Sequence, residues 1–81
     1  MSTDQLLQRG NAAEQLLDSD VFKQATKDLM DYYIGSILQS NPDDDKGRNA
    51  AYFCARALQD LHAVLGQWVA VRDQVITNTE E

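Results

Sequence analysis

Asn41, Asp43 and Asp45 set three oxygen-bearing side chains at alternate positions, the spacing with which an EF-hand calcium loop begins. The match ends there, because such a loop needs glycine at its sixth position and a bidentate glutamate at its twelfth, where this chain has Lys46 and Tyr52. No metal is expected. The surrounding stretch, Asn41-Pro42-Asp43-Asp44-Asp45-Lys46-Gly47-Arg48-Asn49, has a simpler use. Pro42 disfavours helical geometry at Asn41, and Gly47 adds flexibility. An aspartate at 43, 44 or 45 can accept a hydrogen bond from the free N–H groups that open a helix, and its charge suits the positive end of the helix dipole. The stretch is expected to join two helices and to expose an acidic tip made of Asp43, Asp44 and Asp45.

Cys54 and His62 are the only residues of their types and lie eight positions apart. On a helix that is about 12 Å, too far for a nucleophile and its base. Cys54 is expected to be a small buried hydrophobe and His62 a rim residue. One histidine and one cysteine do not furnish a zinc site. Asp28 and Asp31 share a helix face as any i, i+3 pair does, with no pocket implied. Tyr32-Tyr33 and Tyr52-Phe53 are expected near one end of the molecule with one member of each pair outward, and Trp68 in apolar packing. No enzymatic activity and no cofactor are expected.

The chain has 81 residues, thirteen acidic against seven basic, for a formal charge of −6. That balance argues against direct nucleic-acid binding through a basic patch, and leaves open an acidic surface for a basic protein. A single cysteine excludes an intramolecular disulfide. The opening MSTDQLLQRGNAAEQ lacks the basic start and apolar run of a secretion signal, and no stretch approaches the roughly 20 apolar residues of a membrane span. The expected setting is the inside of a cell or a virus particle, away from membranes.

Periodicity supplies the elements. The joint Leu17-Asp18-Ser19-Asp20-Val21-Phe22, where Asp18 or Ser19 can cap a new helix, divides a short helix over about 4–17 from a second over about 20–39. Gly10 and Asn11 weaken the first. After the turn a third helix is expected over about 46–77. Cys54, Ala57, Leu61, Val64, Trp68, Val71 and Val75 alternate steps of three and four, the a/d seam of a packed helix. Leu58, Leu65 and Ile76 widen that seam, while Arg56, Gln59, Asp60, His62, Gln67, Arg72, Asp73 and Gln74 are assigned to the remaining surface. The predicted fold is all-α: one domain over 1–81, an antiparallel helical hairpin with a short N-terminal helix, assembled into an oligomeric bundle. At about 1.5 Å per residue the long helix outreaches the second by about 15 Å. The apolar overhang around Trp68 and Val71 must then be covered by the short helix, by another copy or by another protein. Leu61, Leu65, Trp68, Val71, Val75 and Ile76 are the expected interface.

The run AAEQLLDSDVFKQATKDLMDYYIGSILQSNPDDDKGRNAAYFCARALQDLHAVLGQW resembles a set of small, mostly uncharacterised helical-hairpin proteins encoded by tailed bacteriophages and prophages. Leu16, Leu17, Asp18, Ser19 and Phe22 match the set's first motif, and Pro42, Asp45, Gly47 and Arg48 match its turn, although Asp20 stands where the pattern often has proline. The resemblance implies a phage context among particle or assembly genes. Two expectations follow. One is a non-enzymatic structural or assembly accessory protein that acts by helix-to-helix oligomerisation, alone or with other phage particle proteins, in the host cytoplasm or virion. The other is a small acidic inhibitor that binds a basic host defence protein or nucleic-acid-binding enzyme.

Overall fold

Each helix starts where a short oxygen-bearing side chain can reach an otherwise free backbone N–H. Ser2 accepts from the N–H of Gln5 while the Gln5 side chain accepts from the N–H of Ser2, a reciprocal cap that opens α1, Thr3–Asp18. Ser19 is the one residue outside helical geometry between α1 and α2, Asp20–Leu38. Its N–H donates to the carbonyl of Leu16 and its hydroxyl accepts from the N–H of Phe22, so it closes one helix and opens the next. Of the three tip aspartates, Asp44 is the cap of α3, Asp45–Glu80: its carboxylate accepts from the N–H of Gly47 at 3.0 Å. These caps account for helices slightly different from those expected. The capping serine and Gln5 carry α1 back to Thr3, and Asp44 starts α3 one residue early. The hydroxyls of Thr77 and Thr79 bond back to the carbonyls of Asp73 and Val75, and no proline or glycine follows Gly66 before Glu80.

The computed structural model describes residues 1–80, and the chain is all-α, with no strand among the described residues. Arg48 ties the connector after α2 to the start of α3. Its guanidinium donates to the carbonyls of Asn41 at 2.6 Å and Pro42 at 3.0 Å, and pairs with the Asp45 carboxylate. From that turn outward, residue numbers that fall along α2 and then α1 meet numbers that rise along α3. The ring of Phe22 lies 5.6 Å from that of His62, and Gly10 abuts Trp68 and Arg72. Both shorter helices therefore run antiparallel to α3, end to end, with a break at Ser19. The outline, 58 × 23 × 17 Å, suits a 36-residue helix about 54 Å long with one layer of helix beside it. No helix among the described residues is long and apolar enough to cross a membrane.

The core is thin. Ala13, Ala51, Leu58 and Leu65 are its buried apolar residues, and among the described residues no side chain is wholly enclosed. Along α3 the most buried positions fall seven apart, Ala51, Leu58, Leu65 and Arg72, interleaved with half-buried Arg48, Ala55, His62 and Val69. This corrects the expected seam. The line facing α1 and α2 is the Cys54-to-Val75 line shifted by one residue, a rotation of about 100° around the helix. Leu58 and Leu65 lie at the centre of the packed face rather than on its margin, and Arg72 is inside it rather than on the surface.

Candidate interaction surface

The shift leaves the more apolar of the two lines uncovered. Leu61 is 46% exposed, Val64 40% and Val71 36%. Ala57 and Cys54 are exposed too, so Cys54 is not the buried hydrophobe expected of it. Trp68 and Val75 are half-buried. The guanidinium of Arg9 lies 4.6 Å from the Trp68 ring centroid, a cation–π contact that covers one side of the indole. On this same flank, helix geometry aligns Leu16 of α1 with Val21, Leu29 and Tyr32 of α2, all exposed. A shallow hollow lined by Asp20, Val21, Gln24, Ala25 and Asp28 borders it.

Charge is absent from this part of α3 on every side. From Leu61 to Val71, eleven residues and three helical turns, the sequence has no Asp, Glu, Lys or Arg, in a chain where 25% of residues are charged. A helix that is apolar all round belongs in an interior, and of these residues only His62, Gly66 and Gln67 are not apolar. The area agrees: the chain exposes 6034 Å². A compact monomer of its 9.1 kDa mass exposes about 4,900 Å².

Of the residues expected at an interface, Leu61, Trp68, Val71 and Val75 belong to the outer line. Leu65, 5% exposed, does not: it packs toward the shorter helices and is corrected to a core residue. Ile76 continues the inner line level with the start of α1 and is partly exposed. Asp43, Asp44 and Asp45 form an exposed tip, but Asp44 is committed to its cap and Asp45 to Arg48. Among the described residues no group of three or more His, Cys, Asp or Glu side chains is placed to hold a metal ion. Tyr52 and Phe53 are both exposed, against the expectation of one inward member, and their rings meet edge to face at 5.7 Å. Tyr32 is exposed and Tyr33 half-buried. Nδ1 of half-buried His62 lies 3.1 Å from the carbonyl of Leu58.

The polar cluster at Arg72 was not anticipated. Its Nη1 donates to Asn11 at 2.9 Å and to Glu14 at 2.6 Å, while Nε and Nη2 reach one carboxylate oxygen of Asp73 at 3.1 and 2.8 Å. The hydrogen bond from Arg72, reinforced by its positive charge, holds the Glu14 carboxyl below the usual glutamate range. The bonds to Glu14 and then Asp73 push the Arg72 guanidinium up. One signal was present: Arg72 stands seven residues beyond Leu65 and fourteen beyond Leu58, on a single helical line. Gly10 makes room for it, since a Cβ there would overlap the Arg72 Cβ and sit 2.9 Å from the Trp68 carbonyl oxygen. These groups hold two helices together. No family model matches the chain, and neither a curated protein nor a solved structure matches it.

Proposed function

We propose that the chain is a non-enzymatic structural or assembly accessory protein, an antiparallel helical hairpin with one arm notched at Ser19, that works by helix-to-helix self-association. One observation carries the reading: the more apolar line of the longest helix, Cys54 through Val75, is the line its own fold leaves largely uncovered, with Trp68 and Val75 half-buried and the rest exposed. Exposed apolar stripes of this kind mark association surfaces, and a hairpin this small gains most of its missing core from a neighbour. The resemblance to the phage set extends the proposal to a component of a phage particle or of its assembly, in the host cytoplasm or virion.

Light scattering tests it. The native chain should have a defined multimeric mass, and Val64→Glu or Val71→Glu should reduce that mass to one chain while circular dichroism stays helical. A native monomer would overturn the reading. The acidic-inhibitor alternative draws on the charge of −6. It would gain if a monomeric chain captured a basic nucleic-acid-binding protein, with affinity falling as salt rises and after neutralisation of Asp43, Asp44 and Asp45.

A further inference from the structure

The outer line of α3 is graded in size. Cys54 and Ala57 are small, Leu61 and Val64 lie in the middle, and Trp68, Val71 and Val75 make the far end bulky. If two copies lay parallel along this line, small would face small and the indoles would face each other, leaving gaps at one end and crowding at the other. Reversing one copy about a point close to Val64 pairs Cys54 with Val75, Ala57 with Val71 and Leu61 with Trp68, so each of these layers joins a smaller side chain to a larger one, and Val64 meets its own counterpart at the centre. Antiparallel helices also set opposite dipole ends side by side.

Charge selects a second copy as the occupant. A surface made for a basic partner would present carboxylates, yet α3 itself has no ionised side chain from Leu61 to Val71, and the one charge laid against that stretch, Arg9 over Trp68, is basic. Two chains of charge −6 can approach with least repulsion across such a span, because like charges set opposite one another at a contact are costly. The surface beyond that of a compact monomer, about 1,100 Å², covers the roughly 800 Å² that each partner contributes to an interface of ordinary size. We infer that the outer line of α3 pairs antiparallel with the same line of a second copy, about a two-fold axis close to Val64, closing a bundle of two hairpins that is four helices in cross-section. This rests on the self-association reading above and goes further by fixing partner, direction and register.

Cross-linking tests the register. In this arrangement the two Cys54 residues lie about 30 Å apart, beyond any disulfide, while each faces Val75 of the other copy. Three chains are oxidised under one condition: the native protein, Cys54→Ser with Val64→Cys, and Val75→Cys with Cys54 retained. The expected result is little covalent dimer from the native chain and predominantly covalent dimer from the other two. Cys54→Ser in the Val75→Cys chain should abolish the bond. A covalent dimer of the native chain through Cys54 would show parallel pairing, and a non-covalent multimer in which none of the three cross-links would place the contact elsewhere. Either overturns this inference while self-association stands. A monomeric native chain by light scattering overturns both.

Discussion

The two short helices pack against the same long one in different ways. α2 is the longer of the two and brings Phe22, Met30, Tyr33 and Ile37 to the contact, yet none of its residues is buried. α1 brings smaller groups and buries Gly10 and Ala13. The difference is one of distance between axes. Gly10 and Ala13 let α1 close onto Trp68 and Arg72 until backbone nearly meets side chain, whereas the large residues of α2 hold it off and remain partly wet. Arg72 then becomes possible as an interior residue on the α1 side, because Asn11, Glu14 and Asp73 supply acceptors at that short range. Large apolar side chains bring α2 to α3, and small ones fix α1 on it.

Substitutions can break this contrast. Leu65→Ala, at the α1 end of the buried line, and Leu58→Ala, opposite α2, delete the same atoms; urea unfolding should show losses of about 4 and about 2 kcal/mol, because the looser half can collapse into the gap. Equal losses would erase the distinction. Gly10→Val should cost about 2 kcal/mol by forcing the two helices apart. The same change at half-buried Gly35, where an added Cβ meets nothing within 4 Å, should cost far less. Asp44→Ala removes the α3 cap and should lower stability by about 1 kcal/mol without touching either contact. The smallest effect concerns pH. Because the Glu14 carboxyl is held low in the folded chain, its contribution is complete above the ordinary glutamate value of about 4.3 and is lost as pH falls through the lower, folded value. Thermal melts of Glu14→Gln should therefore converge on the native chain in acid and fall below it near neutrality.

Much of this arrangement was legible in the sequence. The joint at Ser19, the turn after Leu38 and the three-four spacing along α3 are each written in local residue types, and caps and periodicity are local physics. The choice between two adjacent lines was not legible. Cys54-Ala57-Leu61-Val64-Trp68 and Ala55-Leu58-His62-Leu65-Val69 have the same spacing, and by apolarity the first should be inside. Close approach decides otherwise: alanines at 51 and 55 admit neighbours that bulkier residues would exclude, and the aliphatic stem of Arg72 packs once its charge has partners. Gly10 read as a weak point in its helix because the residue that needs the space is 62 positions away. The expected interface was largely the outer line, with Leu65 misassigned because it adjoins that line in sequence and faces away from it in space.

The single residue at the joint governs the order in which the molecule can assemble itself. The bonds from Arg72 to Glu14 and Asn11 span 58 and 61 residues, a long loop to close in one step. Once Arg48 has clasped the turn and α2 has zipped along α3, Ser19 delivers α1 to the matching stretch of α3 with almost no slack. The long closure becomes a short one. Folding should then run outward from the turn, and in pulse-labelled refolding the backbone amides of α1 should gain protection after those around Ala51 and Leu58.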